Sequence, residues 1–133
     1  MGTYQEIKTL LFTTFKALHN AAFANIPINW PNYSVVDLES LANPFVSVQL
    51  VFKSNLEMFD VGNSGDIVRG EMLVSYLCPA NTGLPGSSAY SDMLRSQFCF
   101  KNIGGVSFRG LQILEVSPAP GIVGQMNVIP FMV

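Results

Sequence analysis

Charge is what this sequence has least of. Of its 133 residues, 12% are Asp, Glu, Lys or Arg, against about a quarter in an ordinary soluble domain. Seven Lys and Arg against nine Asp and Glu leave a net charge of −2, with no basic footprint for general nucleic-acid binding. Histidine occurs once and cysteine twice. Cys78, Cys99 and His19 have no zinc-ligand spacing, so no metal site is expected of them. Cys78 and Cys99 form no CxxC pair and imply no disulfide framework. Two buried free thiols in a reducing compartment are the expectation, with a disulfide between them as the alternative. No run approaches ~18 consecutive apolar residues, so no membrane span is expected. Glu6 and Lys8 interrupt the first apolar stretch too early for a secretory signal. No phosphate-cradling glycine loop, dinucleotide turn or nucleophile elbow is present.

What remains is apolar: 49% of the chain, with ten Phe and six Met. That composition excludes disorder, and the length fits one domain over residues 1–133. A folded monomer of 14.5 kDa exposes roughly 6,900 Å². Sixteen charged side chains leave much of that surface uncharged. Other protein is the natural cover, and a ring subunit would bury ~800 Å² against each of two neighbours.

The first helix is predicted from Thr3 and Glu6, spaced as a capping box, through the apolar positions Tyr4, Ile7, Leu11, Phe15, Leu18 and Ala22, ending before Ile26 because Pro27 follows. Ile28 and Trp30 alternate with Asn29 in a short extended piece. Residues 45–53 alternate as a strand, with Val46, Val48, Leu50 and Phe52 on one face. Residues 62–65 read as a hairpin loop, and 67–78 as the return strand, with Val68, Met72, Val74, Tyr76 and Cys78 on one side. Residues 79–88 read as a loop, and a second helix over 89–101 is capped by Ser88 and carries Tyr90, Leu94 and Phe98. Short strands at 106–108 and 111–116, a turn at 117–121 and a strand at 123–133 follow. Pro130 lacks an N–H, which predicts an edge or bulged strand there. The fold class is α+β: an antiparallel or mixed sheet with two α-helices packed on one face.

Catalytic readings are weak. His19 has no carboxylate three or four residues away to orient it, and is expected as a helix-end cation facing the dipole or solvent. Asp60, Gly65, Ile67 and Glu71 echo positions 1, 6, 8 and 12 of a calcium-binding EF-hand loop. Gly62 and Ser64 at positions 3 and 5 lack the required donors, and the flanks read as strands. No catalytic residue, cofactor or metal is therefore assigned. Met58 and Phe59 beside the hairpin tip, and Leu84 in the 79–88 loop, read either as partner contacts or as loop anchors.

Taken in order, several segments resemble the small tail terminator proteins of long-tailed bacteriophages. They are the N-terminal helix; residues 26–32 (Ile-Pro-Ile-Asn-Trp-Pro-Asn); the two-strand ribbon; Cys78-Pro79-Ala80-Asn81-Thr82-Gly83 leading into the helix with Phe98; residues 105–108 (Gly-Val-Ser-Phe); and residues 128–131 (Val-Ile-Pro-Phe). Together they run over nearly the whole chain, although residues 50–62 hold less charge than the family's ribbon usually does. The resemblance implies a structural virion protein, assembled in the host cytoplasm and placed in the tail or neck. Six copies would form a ring on the finished tail tube, stop its polymerisation and meet a neck or head-completion protein. DNA would only pass through the ring channel, and no reaction would be catalysed. The expected interface residues are Met58, Phe59 and Asp60 at the ribbon tip, Leu84 and Pro85 in the loop, and Phe131 and Met132 on the C-terminal strand taken as an edge. The rival readings are another phage neck or head-completion protein, and a small-ligand binding module using the sheet–helix cleft.

Overall fold

A computed structural model of the protein describes residues 4–31, 44–53, 69–79, 85–119 and 121–133. The elements run α1 (Tyr4–Phe23), β1 (Ile28–Asn29), β2 (Phe45–Lys53), β3 (Arg69–Pro79), α2 (Pro85–Phe98), β4 (Asn102–Ile103), β5 (Val106–Phe108), β6 (Gln112–Ala119) and β7 (Ile122–Met132). The expected α+β class holds, and the seven strands form one mixed sheet. Its order is β1-β2-β3-β7-β5-β4, with β6 also paired to β7. Only β1 against β2 is parallel; the other pairings are antiparallel.

Alternation decides which face each strand buries. Val46, Val48 and Leu50 of β2 pair with Tyr76, Val74 and Met72 of β3. Met72 in turn pairs with Ile129 of β7, and Gly70 with Phe131. These side chains share one face and form a single core with Ile7, Leu11 and Phe15 of α1 and Tyr90, Leu94 and Phe98 of α2. Both helices therefore cover the same face, as the periodicity predicts. On the other face Phe45, Leu77 and Ile122 form a small separate cluster with Val116 beside it.

Helix α1 buries a strict four-residue ridge, Ile7, Leu11, Phe15 and His19. Of the other positions expected in the stripe, Tyr4 is 52% exposed, with its ring 4.7 Å from that of Phe52. Leu18 is half-buried and Ala22 exposed. Thr3 lies outside the described residues, as do the hairpin loop at 62–65 and Val68.

Helix α2 begins at Pro85, four residues before the expected start. Proline suits the first helical position, where its missing N–H would have no partner anyway. The next residue, Gly86, lets the helix settle on Tyr76: a Cβ there would stand 2.6 Å from the Tyr76 hydroxyl. The helix ends at Phe98, three residues before the expected Lys101.

The largest correction concerns β7. It is not an edge strand but lies in the middle of the sheet. It pairs with β3 along its whole length, and its other side is shared between β6 (Gln112↔Val128 onward) and β5 (Phe108↔Phe131). Pro130 falls at the join, where one neighbour gives way to the other. The N–H and C=O of one residue in a strand point to the same side. The Pro130 carbonyl accepts from the Arg109 N–H at 2.9 Å, so the missing donor also faces the join and no ladder bond is lost. The β6–β7 turn is tighter than expected, since Ala119 already pairs with Ile122. Gly121 holds φ +79° there, a conformation glycine adopts without strain.

Candidate assembly surface

The structure sorts the sequence-predicted residues unevenly. Met58, Phe59, Asp60 and Leu84 lie outside the described residues, as does the side chain of Pro85. Phe131 is a core residue, 2% exposed, with ring contacts to Phe52 and Phe108. It is thus withdrawn from any contact surface, because β7 is central. Met132 is half-buried, and its backbone is flanked on both sides, by Arg69 and Ser107. The C-terminal strand therefore offers no open edge over its paired length.

His19 is neither exposed nor a helix-end cation; it is 1% exposed. Its Nε2 stands 2.6 Å from the Ile26 carbonyl and its Nδ1 2.7 Å from the Tyr90 hydroxyl. A carbonyl only accepts, so Nε2 carries the proton, and Nδ1 accepts from Tyr90. Burial lowers the His19 pKa below 6.5, opposed by the Ile26 hydrogen bond. Burial, and secondarily the nearby Tyr76, raises the Tyr90 pKa. The pair is a neutral clamp that ties the end of α1 and the turn after it to α2. No sequence signal marked it, because the partners lie 71 residues apart.

Glu71, the twelfth position of the calcium-loop echo, lies on β3 with Lys53 3.7 Å away; Asp60, Gly62, Ser64, Gly65 and Ile67 lie outside the described residues. The two cysteines are not joined in a disulfide; Cys78 is buried as expected, but Cys99, also expected to be buried, is only half so. Among the described residues no group of three or more His, Cys, Asp or Glu gathers in metal-binding geometry. An open hollow of about 290 Å³ lies between α1 and the chain after β1, lined by Phe12, Thr13, Lys16, Trp30 and Pro31. Among its described lining residues, Thr13, Lys16 and the indole of Trp30 carry the polar groups.

β6 is one edge of the sheet, with the two-residue β1 and β4 at its other ends. Among the described residues β6 pairs with β7 alone, so no described strand lies beside the outward N–H and C=O groups of Gln112–Val116. Ile113 and Leu114 are 37% and 39% exposed. Being consecutive, they point to opposite faces and present apolar surface above and below the edge. A bulge between Val116 and Ala119 ends the regular part of the strand. Such an edge is a template for pairing with another chain. The expected strand at 111–116 is found as β6 (Gln112–Ala119); nothing in its spacing shows which neighbours it takes.

No protein-family model matches the chain, and no curated protein matches it. A solved structure whose name says nothing of function superposes with a TM-score of 0.71. The match covers 98% of this chain and 96% of the other at 14% identity. At that identity the likeness speaks for the fold alone.

Proposed function

We propose that this chain is a structural subunit of the tail terminator type. Six copies close into a ring on the end of a completed phage tail tube, stop its polymerisation and present the opposite face to a neck or head-completion protein. The observation that carries the reading is the open β6 edge with Ile113 and Leu114 displayed on either side of it. A subunit that must bind identical neighbours needs such a surface, and a heterologous contact that closes on itself gives a ring. The sparse charge supports the same role, because a surface destined for burial carries few ions. The seat in the virion tail and the assembly in the host cytoplasm come with this reading.

Electron microscopy of the protein mixed with purified tail tubes tests it. Rings on tube ends and an arrested tube length are the expected result. Tubes that go on growing bare-ended in the presence of excess protein overturn it. In phage lacking the protein, overlong tubes are expected; normal tubes with heads that leak DNA assign it to head completion instead.

A further inference from the structure

On β6 the residues Gln112, Ile113, Leu114 and Glu115 are exposed in succession, on both faces of the strand. No other described strand has such a run. Ile113 and Glu115 lie opposite Asn127 and Gln125 of β7, on the side of the sheet that carries the helices. Helix α2 rests chiefly on β7 and β3 and leaves both of them uncovered. Leu114 lies opposite Met126 on the other face. The edge is therefore open to an incoming strand along its backbone and along both flanks.

Among the described residues this chain offers one strand of matching length to fill it. β1 and β4 have two residues each. β1 also lies between Pro27 and Pro31, which lack the N–H that a ladder needs. The fitting edge on a second copy is β6 itself.

Laid antiparallel against its own copy, β6 has one register that suits it. Leu114 meets Leu114 of the second copy on one face. On the other, Ile113 meets Glu115 and lies along its methylenes, twice by symmetry. Gln112 meets Val116, so all of Gln112–Val116 is paired before the bulge. Shifted toward the bulge, the next register with the same faces sets Glu115 against Glu115, and like charges directly opposite destabilise a sheet. Shifted the other way, only Gln112–Leu114 stay paired. Glu115 is the only charged residue from Gly110 to Val133, so this one carboxylate selects the register. A two-fold contact closes on itself after two copies, whereas a ring needs two different surfaces in contact.

We propose that, away from a tail tube, two copies of this chain pair their β6 edges antiparallel about Leu114, and that this dimer withholds the edge from ring contacts until a tube end recruits the subunits. So short a ladder belongs with the weak, exchangeable contacts below about 1,200 Å², as a resting form that must give way requires. The proposal rests on the ring reading only in naming what the edge is withheld from. A dimer whose copies never cap tubes would leave the pairing and remove the ring; capping by a chain that is monomeric in solution would do the reverse.

The test is sedimentation equilibrium of the full-length protein at low salt over a wide range of concentration, where monomer and dimer in exchange are expected. Leu114→Glu and Leu114→Lys should each melt close to the parent, because the side chain is exposed. Each should weaken self-association about tenfold or more, because the two-fold sets the new charge against its own copy. An equal mixture of the two variants should regain dimerisation, and added salt should abolish the regain. That rescue is peculiar to a residue that opposes itself; in a head-to-tail contact Leu114 faces some other residue, and the mixture associates no better than its components. A parent that stays monomeric throughout, a parent that forms closed six-copy species in place of dimers, or a mixture no better than its components would each overturn the proposal.

Discussion

β6 and β7 are neighbours in sequence and in the sheet, and both are rich in apolar residues. β7 buries Val128, Ile129 and Phe131 almost completely, while β6 leaves Ile113 and Leu114 more than a third exposed. Residue type does not account for the contrast. β7 has strands on both sides and helices over one face; among the described residues β6 has a single neighbour. Burial here is a property of topology, and the apolar content of β6 becomes a surface because the described part of the sheet ends at it. One strand is sealed within the sheet, and the other presents apolar side chains at its rim.

The sharpest way to break that contrast is at Gly124, where β7 crosses β3 at closest approach. A Cβ there would stand 2.0 Å from the Tyr76 carbonyl oxygen, backbone that cannot yield. Gly124→Val should cost about 3 kcal/mol or more in urea denaturation, at the top of the range for overpacked cores. A parental midpoint would mean that β7 does not pack on β3 as described. Ile129→Ala, a fully buried site, should cost roughly 2–4 kcal/mol. The corresponding β6 change, Ile113→Ala, should cost about 1 kcal/mol or less, because a side chain already in water loses little when truncated. Equal losses at the two positions would remove the distinction between the strands.

The His19 clamp gives a smaller effect with a defined sign. Its folded-state pKa lies below the unfolded 6.5 because burial disfavours the cation. Its contribution is therefore complete above pH 6.5 and is lost as pH falls from there through the folded value. The denaturation midpoint should drop between pH 7.5 and 5, and His19→Gln should flatten that part of the profile while lowering the plateau. An unchanged slope in the variant would assign the pH dependence to other groups. Smallest of all should be Pro130→Ala. It restores an N–H that faces the join between β5 and β6, so a change within about 0.5 kcal/mol is expected by thermal melting. A large loss would place Pro130 inside a regular ladder after all.

Local signals account for what was legible in the sequence. The four-residue ridge of α1, the alternation of β2 and β3, and the Tyr90, Leu94 and Phe98 stripe of α2 each come from a single element's own period. They led to the α+β class with both helices on one face. The errors arose where a residue's meaning depends on a distant partner. Proline removes a donor, so Pro130 predicts an edge or bulged strand, but the join that makes that loss harmless is formed by residues some twenty positions earlier. The neighbours of His19 in sequence offer no partner and predict a helix-end cation facing the dipole or solvent, whereas Tyr90 and Ile26 supply both hydrogen bonds. Phe100 drew no attention, since a phenylalanine beside a helix stripe reads as core until its backbone angle, φ +58°, turns it outward. Of the expected contact residues, Phe131 was lost to the core for the same reason that β7 was misplaced.

The central seat of β7 also governs how the chain can reach this shape. Each of its ladder partners precedes it, and its eleven pairings with β3 join residues some fifty positions apart on average. The β2–β3 ribbon and the β6–β7 hairpin can form from nearby segments, but neither completes the sheet until β7 docks on β3. A topology with such distant pairings folds slowly. Until that docking, the unclosed ribbon leaves a long strand flank open to strangers, so speed of closure, as much as final stability, guards newly made copies against clumping.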